Sequence, residues 1–235
     1  MTKVLDKLRS GVTPRNPGPL QNLIFSWGAK RDDRERLPFS QELLIESINE
    51  RPCLNRKDRS ESLGWGAKKF QSAMEGLEQH GFIETQTIPS GNGRPSAYLL
   101  LTDKGYSYLR RLRVTERRLH GSLIHHCAML KLAELYKARG YRTRINHKVT
   151  PKLIVDVLCE RDDERGVFEV VSSNNAKRDA DKCASLAEKV AWVQLVATSR
   201  ELFDHYLAKL GADLPEPARE KVQVSLLDDL LADES

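Results

Sequence analysis

The chain has 235 residues, 40% of them hydrophobic and 30% charged, with a formal net charge of +5. That is enough chain for one large domain or two small ones, each with its own core. No apolar run reaches membrane-spanning length, and the opening MTKVLDKLRSGVTPRNPGPL lacks the apolar segment of a secretion signal, so a soluble, cytoplasmic protein without a membrane partner is expected.

The charge is uneven. Residues 1–113 hold 19 Lys and Arg against 13 Asp and Glu, whereas residues 114–235 hold 19 against 20. A basic first half concentrates polyanions near it. Cys53, Cys127, Cys159 and Cys183 stand far apart with no CxxC pair, which suggests neither a zinc ribbon nor a disulfide framework and reads as four buried thiols.

Residues 1–36 combine TPRNPGP with the mixed-charge run KRDDRER and read as an N-terminal arm. From residue 37 the signals sharpen. LPFSQELLIESINERP predicts a helix capped by Ser40, with Phe39, Leu43, Leu44 and Ile48 on one apolar face and Pro52 closing it. RKDRSES is unusually polar for a second helix that must pack. GAKKFQSAMEGLEQHG follows, with Phe70, Ala73, Met74 and Leu77 spaced for a single dry side and Gly81 as the stop. FIETQTI and AYLLLT predict a hairpin around the turn PSGNGRPS, which carries Arg94, and Thr102 caps a last basic helix.

That order over residues 37–113 resembles the winged helix-turn-helix of bacterial regulators, most closely in LEQHGFIE followed by GRPSAYLLLTDKG. The resemblance implies duplex DNA as partner. Lys68, Lys69, Gln71 and Ser72 on the third helix and Arg94 on the wing are the candidate contacts.

In the second half, RRLHGSLIHHCAMLKLAELYKARG predicts a long helix through Leu119, Leu123, Ile124, Cys127, Leu130 and Leu135, stopped by Gly140. His120, His125 and His126 lack the i, i+4 spacing of a zinc helix, so capping, packing or an interdomain contact is expected of them. YRTRINHKV, LIVDVLCE, GVFEVVSS and AWVQLVAT read as strands, with a helix before the last and another after it.

The αβββαβ order over residues 114–212, with Asp156 on the second strand and Glu169 on the third, resembles the PD-(D/E)XK nuclease superfamily. In active members the two acids hold a divalent cation, and a lysine two residues after the Glu assists the attacking water. Here Val171 occupies that lysine position and Val155 replaces the usual Pro, so the pattern is degenerate. Some members carry the lysine on the following helix, where Lys177 and Lys182 stand.

Residues 213–235 hold seven acids against Arg219 and Lys221 and read as an acidic tail, solvated or used to dock a protein partner. The expected fold is therefore α+β and α/β, a winged helix followed by a restriction-endonuclease-like domain. The pairing resembles the replication-relaxation group of plasmid and mobile-element proteins. It implies a DNA-binding protein of replication, mobilisation or their control, expected as a homodimer because one winged helix reads few base pairs. On the leading reading the second domain is an inactive scaffold and no cofactor is needed. The alternative is an Mg²⁺-dependent endonuclease using Asp156, Glu169 and Lys177 or Lys182. A third reading, a ligand-sensing transcriptional regulator, calls for an enclosed apolar pocket beside Asp156.

Overall fold

The computed structural model describes residues 36–88 and 95–232. The arm up to residue 35, Arg94 on the wing and residues 233–235 lie outside them. Helix α1 (Phe39–Glu50) starts one residue before Ser40, so Ser40 sits in the first turn and does not cap it. The expected apolar face is rotated. Leu44, Ile45 and Ile48 are buried, while Phe39 is 60% exposed.

Helix α2 (Arg56–Ser62) is capped by Asn55, whose side chain accepts from the Asp58 amide at 2.9 Å. Its polar sequence packs by hydrogen bonding rather than by apolar contact. Arg59 is fully buried, and its guanidinium donates to the carbonyls of Ser47 (2.6 Å), Arg51 (2.7 Å) and Leu54 (3.1 Å) at the end of α1 and in the turn beyond it. Burial pulls this guanidinium down to about 10, so it is still protonated at neutral pH.

Helix α3 (Ala67–Gln79) buries Phe70, Ala73, Met74 and Leu77, the dry side predicted from spacing. It ends at Gly81, whose φ of 70° is the left-handed conformation that glycine adopts without Cβ strain. Strands β1 (Ile83–Ile88) and β2 (Ser96–Leu101) form an antiparallel pair. Thr102 then caps α4 (Asp103–Arg111), accepting from the Gly105 amide at 3.3 Å.

A connector leads on to α5 (Leu123–Ala138) and is fastened by Asn49, which donates to the Thr115 carbonyl at 2.9 Å and accepts from the Arg117 amide at 2.8 Å. Ser122 caps α5 and Gly140 follows it at φ 87°. The buried residues of α5 include Ala128, Met129, Leu132 and Ala133, whereas Cys127 and Leu130 are only half-buried.

The main sheet runs in the order β3 (Arg142–Thr150), β4 (Leu153–Arg161), β5 (Glu164–Val171), β6 (Trp192–Ala197) and β7 (Val222–Leu226). Its first two pairings are antiparallel and its last two parallel. Helix α5 covers one face, its Met129 and Leu132 clustering with Phe168 and Val170 of β5. On the other face lie α6 (Ala176–Ala187) and α7 (Arg200–Asp213), with Cys183, Leu186, Tyr206 and Leu210 packed on Val167 and Leu195. Gly166 is bare because Trp192 crosses it: a Cβ there would sit 1.8 Å from the indole.

The fold is α+β: helices dominate the N-terminal part and a mixed sheet the C-terminal part. The expected acidic tail is corrected. Leu214, Ala218 and Val222 enter the core, α8 (Glu216–Arg219) leads into β7 beside β6, and α9 (Leu227–Ala232) follows. The acids that suggested a tail, Asp213, Glu216, Glu220, Asp228 and Asp229, fall on exposed positions around these short elements. Among the described residues no helix is long and apolar enough to cross a membrane.

Candidate functional site

The β4–β5 ladder ends at the pair Val157 and Phe168, so the next facing residues are Asp156 and Glu169. Side chains facing each other across an antiparallel pair share a side of the sheet. There the Val170 amide donates to Asp156 Oδ2 at 2.8 Å. A carboxylate thus takes a ladder amide, and the strand pair opens into a cleft of about 140 Å³ lined by His125, Glu169, Val171, Ser173, Asp179 and Lys182 among others.

Glu169 is 5% exposed. Burial, with the neighbouring Asp156 charge, pushes its carboxyl up to about 8 against the pull of Lys182. The Lys182 ammonium contacts Glu169 Oε2. It reaches back because α6 seats Ala180, Cys183 and Leu186 in the core and thereby turns position 182 toward the end of β5. Glu169 Oε1 is buried with no hydrogen-bond partner among the described residues.

The structure therefore gathers Asp156, Glu169 and Lys182 and leaves Lys177 exposed, outside the cleft. Val171 lines the cleft and is also anchored in the core beneath α6. His125 corrects the expectation of a capping or packing role. It enters from α5 with Nε2 3.4 Å from Asp156 Oδ1, both side chains mostly buried. Spacing along one helix carried no signal of this, since its partner belongs to another element. The other two histidines pair with each other: the His120 amide donates to His126 Nδ1 at 3.3 Å and the rings stack.

The cleft is polar, lacking the enclosed apolar pocket that the ligand-sensing reading calls for. Among the described residues no group of three or more His, Cys, Asp or Glu is placed to hold a metal ion. A hard cation such as Mg²⁺ needs only one or two carboxylates, with water and phosphate oxygens completing its shell. Asp156 and Glu169 fit that donor set, and the unpartnered Glu169 Oε1 is a buried acceptor that a cation would satisfy.

In the N-terminal part, Lys68, Lys69, Gln71 and Ser72 are all exposed along α3. Lys69 Nζ lies 4.6 Å over the Trp65 ring. Gln71 accepts from Arg56 at 2.9 Å and donates to Glu75 at 2.6 Å, so Arg56 joins this face as a cation that sequence reasoning missed.

No family model matches the chain, and no curated protein matches it. Among solved structures, the PcaV transcriptional regulator from Streptomyces coelicolor, in complex with its natural ligand, is similar at 20% identity over 44% of this chain and 75% of that one, with a TM-score of 0.31. The protein of unknown function AF1548 is similar at 15% identity over 47% and 66%, with a TM-score of 0.32. SfsA from Pyrococcus furiosus, in complex with Ca²⁺, is similar at 13% identity over 60% and 68%, with a TM-score of 0.30. Likenesses at this level define no family, and the functional reading rests on the chain's own residues.

Proposed function

We propose that this chain is a cytoplasmic, homodimeric protein that binds double-stranded DNA through α3 and the wing, and that its second part cleaves a DNA phosphodiester with the help of a divalent cation. The observation that carries the cleavage reading is Lys182, which brings an ammonium group to Glu169 although Val171 stands where the superfamily pattern has its lysine. The resemblance to replication-relaxation proteins supports a place in plasmid or mobile-element replication, mobilisation or their control.

Asp156 and Glu169 would hold the cation, which when bound supplies Lewis-acid polarisation of the scissile phosphate. The chain's own groups do the rest. The Val170 amide and His125 fix the orientation of Asp156. Val171 closes the floor of the cleft with an apolar group, which excludes bulk water and strengthens the charges above it. Lys182 holds positive charge beside the acids, where an attacking water or a phosphate oxygen can be oriented.

A second reading is favoured by Val171, which puts an apolar side chain at the position of the superfamily's lysine: DNA binding with a catalytically silent second part that serves for dimerisation or partner contacts. Incubating the protein with supercoiled, linear, branched and single-stranded DNA in Mg²⁺ or Mn²⁺ separates the two. Cutting that is abolished in both Asp156→Ala and Lys182→Ala, with duplex binding intact, is expected. Binding without cutting under every condition overturns the cleavage reading and leaves the second.

A further inference from the structure

Cys53 and Cys127 form a disulfide with Cα atoms 5.5 Å apart, against the expectation of four buried thiols. The pair is invisible to spacing rules, since 74 positions separate its members. Both residues are half-buried, whereas Cys159 and Cys183 are completely buried. Burial also pushes the Cys159 thiol up to about 12 and the Cys183 thiol further still. Thiolate is the reacting species, so those two are inert and redox chemistry is confined to the first pair.

The position of the bond gives it a consequence. Cys53 lies in the turn between α1 and α2, one residue before Leu54, whose carbonyl Arg59 holds. Cys127 lies two residues beyond His125, which touches Asp156. No helix or strand of the α1–α4 group packs broadly on one of the α5–β7 group. Besides the disulfide, Asn49, the ion pairs Arg110–Glu116 and Arg118–Asp103, and Arg118 over the Tyr106 ring tie the connector to the first group. Arg110, Arg118 and Asp103 are largely exposed, and ion pairs with exposed members contribute little.

We propose that Cys53 and Cys127 are a reversible thiol-disulfide exchange site, with a small-molecule thiol and its disulfide as reactants, and that closing the bond couples the α1–α2 turn to the helix that carries His125. In the forward direction one cysteine thiolate attacks a sulfur of the small disulfide, forming a mixed disulfide and releasing one small thiolate. The second cysteine thiolate then attacks the protein sulfur of that mixed disulfide and expels the other small thiolate. Two cysteine thiols and one small disulfide thus yield one cystine and two small thiols, and reduction is the reverse. In a reducing compartment a disulfide that is only half-buried belongs to the labile, regulatory kind. The proposal stands independently of DNA binding and of cleavage.

The test equilibrates the folded, full-length protein in glutathione buffers from fully reduced to fully oxidised, quenches exchange with acid, and labels with an alkylating reagent for peptide mass analysis. Cys53 and Cys127 are expected to gain their labels together as the buffer becomes reducing, while Cys159 and Cys183 stay unlabelled until the protein is denatured. Hydrogen exchange over residues 112–127 is expected to speed up in the reduced protein and equally in Cys53→Ser under oxidising conditions. Because the reduced wild-type protein provides the same comparison, a Cys53→Ser variant that fails to fold does not spoil the experiment. Labelling of both cysteines in oxidising buffer, a bond that survives full reduction of the folded protein, or hydrogen exchange indifferent to redox state would each overturn the proposal.

Discussion

Replacing Arg59 with Met removes the guanidinium from the centre of the α1–α2 corner while keeping an unbranched stem of similar reach. The carbonyls of Ser47, Arg51 and Leu54 lose a charged donor, while those of Ser47 and Arg51 each keep a backbone amide, from Arg51 and Leu54. Hydrogen bonds to a charged group contribute about 1.5–3 kcal/mol each, which puts the gross loss at about 4.5–9 kcal/mol. Against this stands the relief of burying a charge. The guanidinium is held down from 12.5 to about 10 by burial and by repulsion from Arg51. At 1.36 kcal/mol per pH unit, that depression corresponds to about 3 kcal/mol. The net expectation is a loss centred on about 3 kcal/mol, or roughly 6–12 °C in Tm for a chain of this size. Thermal and urea unfolding followed by circular dichroism and tryptophan fluorescence measure it, with Trp65 adjacent through the Ser60 hydroxyl. Arg59→Lys, which can serve only some of the carbonyls, should fall between. A loss below about 1 kcal/mol in Arg59→Met would refute the idea that a polar helix is seated here by one buried cation.

The α3 face and the cleft each yield a further expected outcome. Combined Lys68→Ala, Lys69→Ala and Arg94→Ala should weaken duplex binding and flatten its salt dependence by about one unit of log-log slope for each phosphate left without its cation; an unchanged slope rejects this face. For Glu169, the folded-state value lies above the unfolded one, so the native protein holds an extra proton between 4.5 and about 8. In metal-free buffer its stability should therefore fall as pH rises through that window, by at most about 5 kcal/mol, and Glu169→Gln should flatten the profile. Urea titrations of both proteins at pH 5 and pH 9 decide it, parallel profiles being the refuting result.

Local chemistry was legible where sequence carries it locally. The dry side of α3, the stop at Gly81, the paired strands after it and the Thr102 cap follow from spacing and turn propensity, as does the placement of Asp156 and Glu169 on neighbouring strands. What escaped depended on partners far along the chain. The polar α2 looked unsuited to packing because its anchor is Arg59 bonded to carbonyls, which no hydropathy pattern encodes. His125 and Cys127 acquire their meaning from Asp156 and Cys53 on other elements. The edge strand β7 was hidden inside an acidic stretch, because only Val222 of its five residues is fully buried and the charges crowd the turns on either side.

That strand alters how the second part can be isolated. β6 is an apolar strand, WVQLVA, and β7 supplies the backbone partners along its outer edge. A fragment ending near Ala212 would leave that row of amides and carbonyls open beside a hydrophobic face, the composition that recruits strands from other molecules. Solubility of the five-stranded part is thus tied to a segment whose charge alone would mark it as dispensable, and the working boundary of that part lies beyond Leu226.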